Sequence, residues 1–280
     1  MAGFALTWEQ SAVLTAALAV GATALTINES PRARRFAPFA RETTLIAALY
    51  AVWQLAGQLS VLGNEGAFTR ARWIERAERV AHLPSEARVQ NLVTSSSFAA
   101  QLANLYYATM HFGVLFVFLL WLFVRHRDRY RPVRRVLALT TLACLVIQLI
   151  PVAPPRLLPG FQDTAQKYGE SVYDLGFGAD QLSAMPSVHV AWAVLVGWSV
   201  WRIARGPGRW LGPLHAVLTV VVVVATANHF WADGIVAVLV LGVCAAAEHG
   251  GSAAVRRFRL NEHNRASQSS AAANSGNLPS

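Results

Sequence analysis

Thr226-Ala227-Asn228-His229-Phe230-Trp231-Ala232-Asp233 interrupts an apolar run, Leu214 to Ala247, that holds no other aspartate, glutamate, lysine or arginine. An ionisable side chain at membrane depth is expensive and is retained mainly for function. A histidine and an aspartate four positions apart also fall on one face of a helix, where the carboxylate can orient the imidazole. The stretch reads as the reactive centre of a membrane protein.

The composition agrees. Of 280 residues, 54% are hydrophobic, 14% are charged and nine are tryptophan, which suits a bilayer better than a soluble core. The net charge of +9 comes almost wholly from arginine, with Lys167 the only lysine, and the arginines cluster between apolar runs as they do in cytoplasmic loops. Membrane lipids are the expected partners; nucleic acid is not needed to account for the charge. The arginine and alanine bias fits a high-GC bacterial genome, and so a bacterial plasma membrane. Cys144 and Cys244 lie in apolar runs, where neither a disulfide nor a metal site is expected.

Hydropathy divides the chain into crossings. Residues 11–27 form an alanine-rich run that is either a span or an uncleaved anchor, since no basic stretch precedes it as in a cleavable signal. A basic cytoplasmic loop is expected at 28–42, with Arg32, Arg34, Arg35 and Arg41. Core crossings are expected at 43–62, 98–124, 136–152, 186–203, 211–226 and 232–247. The six arginines from Arg125 to Arg135, and then Arg202, Arg205 and Arg209, mark the inner side. Between the first two core crossings, 66–93 sets Phe68, Ala71, Ile74, Ala77 and Ala81 on one helical face. Arg70, Arg72, Glu75, Arg76, Glu78 and Arg79 fall on the other. That is the pattern of an interfacial amphipathic helix, either plainly solvated or a lid beside the site. Residues 249–280 turn basic and then rich in Ser, Ala and Asn, as a disordered cytoplasmic tail would.

The expected fold is all-α: a polytopic membrane helical bundle of six core transmembrane helices, an extra N-terminal candidate span and the interfacial helix. Its expected units are 1–42, a membrane catalytic domain at 43–248, and the tail.

Met185-Pro186-Ser187-Val188-His189 opens a descending helix, because proline in a first turn is a start signal. The next helix returns through about as many residues, roughly 25 Å at 1.5 Å per residue, so His189 and His229 meet at one membrane face. Arg156 ends the preceding crossing at that same face. Free N–H groups at a helix start and a guanidinium both favour an anion, and phosphate fits them best. His229, oriented by Asp233, would then attack phosphorus as nucleophile while His189 protonates the leaving alcohol.

Arg156 and Ser187 are the candidate phosphate ligands. Arg156 could instead only snorkel to the head groups, and Ser187 could be a plain N-cap. Tyr107, His111 and Asn228 are candidate substrate contacts, each with a bland counterpart. Tyr107 also suits an interfacial aromatic belt, His111 a structural hydrogen bond, and Asn228 a helix cap or an orienter of His229. Two rival readings stay open: a zinc site built on the histidines and Asp233, and a non-enzymatic phospholipid-binding or transport protein.

Pro186-Ser187-Val188-His189 and His229-Phe230-Trp231-Ala232-Asp233 resemble the second and third signature motifs of the type 2 phosphatidic acid phosphatase (PAP2) superfamily, over roughly Asn104 to Ala247. Asn104-Leu105-Tyr106-Tyr107, His111-Phe112, Ala153-Pro154-Pro155-Arg156-Leu157, Ala184 to Trp192 and Ala225 to Phe230 are most similar to the branch of inositol phosphorylceramide synthase-like proteins. The resemblance implies a bundle of six core spans and phosphohistidine chemistry on a lipid phosphate at the outer face, without metal or cofactor. It implies the same histidine roles. The sequence departs from the superfamily pattern at Leu149, where the first motif begins with lysine, and at Leu157, which follows Arg156 in place of proline. Val222 and Val223 stand where the third motif has Ser-Arg. Less positive charge suits transfer of a head group to make a phosphodiester lipid, such as an inositol phospholipid or sphingolipid, as the alternative to hydrolysis. No residue pattern assigns an oligomeric state.

Overall fold

The computed structural model describes residues 8–58, 66–168 and 182–251, and its regular elements there are helices. They are α1 (Trp8–Ile27), α2 (Pro31–Gln58), α3 (Ala67–Val80), α4 (Glu86–Thr94), α5 (Ser97–Arg125), α6 (Arg127–Gln148), α7 (Thr164–Tyr168), α8 (Val188–Ile203), α9 (Leu211–Ala225) and α10 (Trp231–Gly251). Short 3-10 turns at Pro155–Leu157 and Pro207–Trp210 lie between them. The end of the expected 43–62 crossing, the glycine- and tyrosine-containing loop before Leu182, and nearly all of the tail lie outside the described residues.

Several boundaries differ from the sequence expectation for local reasons. The expected loop at 28–42 is helical from Pro31, with the Ser30 hydroxyl accepting from Ala33 N at 3.2 Å. Alanine and arginine are strong helix formers and proline is favoured at the first position, so a basic run need not be a loop. Only His126 separates α5 from α6, so most of the basic cluster at 125–135 is helical too. The amphipathic stretch is two helices, broken where His82 turns to φ 56° and Pro84 cannot continue the helix.

Among the described residues, α1, α5, Pro207–Ala225 and α10 are long and apolar enough to cross a bilayer, and α8 is apolar but shorter. Their outward faces carry large apolar side chains, with Phe116, Val117, Val217, Leu239 and Val243 all exposed. Water would not tolerate that much contiguous apolar surface on a folded monomer, whereas lipid does. The protein is an integral membrane protein.

At the heart of the bundle, α5, α6, α8 and α10 meet in a core of Leu115, Phe118, Leu122, Val136, Leu137, Leu195, Val196 and Leu241. The α1–α2 hairpin joins that bundle through Glu42, whose carboxylate accepts from Arg134 and from Tyr130 Oη of α6.

α8 and α9 are the pair that carries the site, and small residues let them approach closely. A Cβ on Gly212 would lie 2.8 Å from Gly197 O and 2.8 Å from Val200 Cβ. Gly212→Leu should therefore push the two helices apart, costing about 1–3 kcal/mol as overpacking does. Thermal unfolding in detergent checks it; Gly242→Leu, where nothing among the described residues lies within 4 Å of an added Cβ, is the control.

Candidate active site

The turn between α9 and α10 is built by two capping devices. α9 ends in a Schellman arrangement, with Ala227 N donating to Val224 O at 2.9 Å and Asn228 N to Val223 O at 3.0 Å. Ala227 sits in the left-handed region at φ 53°, where glycine is usual. Holding alanine there costs about 1–2 kcal/mol, strain of the kind found at functional sites. α10 opens with Asp233 reaching back from its third position to accept Phe230 N at 2.8 Å, one half of a capping box. His229 is therefore not on a helix, as the four-residue spacing suggested. It stands in the turn, between one helix end and the next helix start.

That placement fixes the imidazole. Nδ1 of His229 lies 2.8 Å from Ala184 O and 3.3 Å from Asp233 Oδ2. Both partners are acceptors, so Nδ1 carries the proton and Nε2 of the neutral ring presents its lone pair. Nε2 faces His189 Nδ1 at 3.3 Å, and a lone pair there requires that His189 Nδ1 be the N–H donor. His189 stands in the first turn of α8, as its Pro-Ser start implied. The two histidines do meet, and Asp233 acts in series behind them. Among the described residues no three His, Cys, Asp or Glu side chains converge as metal ligands would.

The start of α8 is tied to the same turn. Ser187 N donates to Asp233 O at 3.1 Å, and the fully buried Ser187 hydroxyl accepts from Val190 N at 3.4 Å, as an N-cap. Arg156 sits on the 3-10 turn after α6, buried, its backbone N donating to Ala227 O at 2.8 Å. Its Nη1 donates to Asn228 Oδ1 at 2.7 Å and its Nε lies 3.3 Å from Asp163 Oδ2. Asn228 Nδ2 in turn donates to Thr226 Oγ1 at 2.8 Å. Asn228 thus orients Arg156 and not His229. On the far side of His189, Tyr107 and His111 from successive turns of α5 bring their ring centroids to 4.7 and 4.3 Å. The space beside these rings is small, about 10 Å³, lined by Tyr106, Tyr107, His111, His189, Thr219, Val222 and Val223. A far larger cavity of about 1000 Å³ lies at the opposite ends of α6, α8 and α10, around Arg129, Trp198 and Arg202, and takes in none of the site residues.

Sequence reasoning missed four participants. The Ala184 carbonyl is the nearer acceptor for His229 and has no side-chain signature. Asp163 belongs to a polar loop. His215, inside the apolar run, pairs its Nδ1 with Tyr106 Oη at 2.7 Å. Glu78 of α3, placed on the solvated face by its pattern, is 4% exposed and accepts Ala232 N at 2.6 Å.

α3 and α4 together roof this end of the bundle. Ala67 O accepts from Ala153 N, Arg70 Nε donates to Pro151 O, Gln90 exchanges two hydrogen bonds with Gln162, and Trp231 Nε1 donates to Pro84 O. The buried face of α3 is Ala67, Ala71 and Glu78, while Phe68 and Trp73 point outward.

Neither a curated protein nor a solved structure matches the chain. A sequence model described as PAP2 superfamily does match, over residues 72–247. That span is well over half of the chain and runs from the roof through both histidines to the last crossing, so the protein belongs to the PAP2 superfamily.

Proposed function

We propose that the protein is a membrane enzyme that acts on a lipid phosphate ester at the outer face through a phosphohistidine on His229. The observation that carries this reading is the directed chain Asp233–His229–His189. Nδ1–H of His229 is held by two acceptors, its Nε2 lone pair is thereby fixed toward α8, and the proton on His189 Nδ1 lies beside it. In the first step His229 Nε2 bonds to phosphorus, the bond to the lipid oxygen breaks, and that oxygen takes a proton from His189, which enters the step as the imidazolium and leaves it neutral. In the second, His189 removes a proton from water or an acceptor hydroxyl, whose oxygen bonds to phosphorus as the P–N bond breaks. Arg156 would grip the phosphoryl oxygens and Ser187 would keep the start of α8 beside them. Six crossings, with 43–248 as the catalytic unit and the 249–280 tail cytoplasmic, complete the proposed topology.

Transfer is the second reading, and Asp163 favours it. Arg156 is already ion-paired, and Leu149, Val222 and Val223 add no charge, so the site suits a singly charged phosphodiester better than a doubly charged monoester. That is the chemistry of the inositol phosphorylceramide synthase-like branch, with a phosphodiester lipid as product. A panel of lipid monophosphates, pyrophosphates and phosphodiesters, each with and without acceptor lipids, decides the matter when read for free phosphate and for new lipids by mass spectrometry. An acid-labile phosphoryl label on the protein is expected under either outcome. Binding of the whole panel without turnover or label would instead identify a phospholipid-binding or transport protein.

A further inference from the structure

The N–H groups at the start of α10 pose a problem that its own sequence does not solve. A helix start leaves its first N–H groups without helical partners, and normally the N-cap side chain accepts one from the second or third position. The N-cap here is Phe230, which has no acceptor. Asp233 takes the Phe230 N–H, and the N–H of Ala232 is taken by Glu78 Oε1 at 2.6 Å, from a helix 154 residues earlier in the chain. Glu78 does not act alone. Glu86, at the start of α4, is likewise buried, 5% exposed, and its carboxyl is among the groups that act on that of Glu78. Glu78 Oε2 and Glu86 Oε1 are both buried without a hydrogen-bond partner among the described residues, and two acids that influence each other in such a place are best matched when one of them carries a proton.

We infer that Glu78 and Glu86 share one proton and together form a cap, supplied by the roof, that positions Ala232, and through it Asp233 and His229, for the reaction. Glu78 is a positioning residue, since it touches neither histidine. This inference rests on the function proposed above for its kinetic consequence, though not for the proton itself.

Burial, and then the influence of the Glu86 carboxyl, raise the Glu78 carboxyl to about 9. The charged groups acting on it among the described residues are Glu86 from α4 and Asp233 from α10, both of its own sign. The folded protein therefore holds a proton that the unfolded chain releases near the ordinary glutamate value. The stability this contributes is full below that value and is lost as pH rises through about 9.

The test compares wild type, Glu78→Ala, Glu78→Gln and Glu86→Gln in detergent, reading kcat, KM and Tm from about pH 6 to 10. Wild type should lose both kcat and Tm on the alkaline side. Glu78→Gln keeps a neutral acceptor for Ala232 N and a donor for Glu86 at every pH, so it should hold kcat near wild type at neutral pH and abolish that alkaline limb. Glu86→Gln should abolish it as well. Glu78→Ala should lower kcat on the order of 10²-fold with little change in KM, as a small displacement of catalytic groups does. Wild-type kcat in Glu78→Ala, or an unchanged alkaline limb in both glutamine variants, overturns the inference. The Tm arm needs no substrate: if no lipid phosphate is turned over, the functional reading fails while the shared proton is still decided.

Discussion

His229→Ala should lower turnover of a lipid phosphate by on the order of 10⁴-fold or more, the loss expected when the nucleophile of an interdependent set is removed. Stability should fall far less, by about 1–3 kcal/mol, because the main structural consequence is a buried Ala184 carbonyl left without its donor. The more discriminating comparison is with His189→Ala. His189 is assigned as the acid because the proton on its Nδ1 faces the nucleophile, so its removal should cost about 10²–10⁴-fold on a lipid alkoxide leaving group. A p-nitrophenyl ester leaves without protonation. It should therefore restore much of the activity of His189→Ala and none of that of His229→Ala. Equal rescue of both variants, or of neither, would mean that the two roles are wrongly divided.

How much of this was legible in the sequence depended on whether a residue broke its local pattern. His229 and Asp233 stood out because they are polar in an apolar run, and His189 because it follows a helix-start signal at the right distance along a hairpin. Arg156 was legible as the cation at the end of a crossing. Glu78 was hidden for the opposite reason. It conforms to the polar face of an amphipathic helix, and the groups it answers to are an N–H 154 residues further along the chain and Glu86 across a helix break, neither of which local periodicity can register. Asp163 was equally invisible, because its importance lies in partial neutralisation of Arg156 and not in any motif. The basic stretches at 28–42, expected as a loop, and 125–135, expected at the inner side, carry charge that suggests solvent. They are mostly helical because arginine is a good helix former and its charge alone does not end a helix. The four-residue spacing of His229 and Asp233 did identify a contact, but through capping geometry in place of a helical face. A turn closed by a Schellman arrangement and reopened by a capping box can bring the same two side chains together, and it leaves the imidazole free to face α8.

Asp233→Asn should reduce kcat by about 10²–10³-fold, distinctly less than the roughly 10⁴-fold typical of a catalytic triad whose carboxylate is the sole orienter of its histidine. The reason lies in the two acceptors on His229 Nδ1. With Ala184 O at 2.8 Å and Asp233 Oδ2 at 3.3 Å, the carbonyl alone suffices to keep the proton on Nδ1 and the lone pair on Nε2 when the carboxylate is replaced by an amide. The amide oxygen can still accept Phe230 N, so the start of α10 survives as well. What disappears is the negative charge that stabilises the imidazole ring as it becomes cationic on bonding to phosphorus, and that charge acts at full strength because the carboxyl is wholly buried. The amide nitrogen would fall where Asp233 Oδ1 now lies without a partner among the described residues, adding about 1–3 kcal/mol of destabilisation for a buried unmet donor. Asp233→Ala should be worse on both counts, since it also strips the cap from Phe230 N, worth about a further 0.5–2 kcal/mol. The ordering of the three variants carries the conclusion. If Asp233→Asn matched His229→Ala in kcat, Ala184 would not be holding the tautomer. Activity within twofold of wild type would remove Asp233 from the mechanism and leave it only as the residue that starts α10.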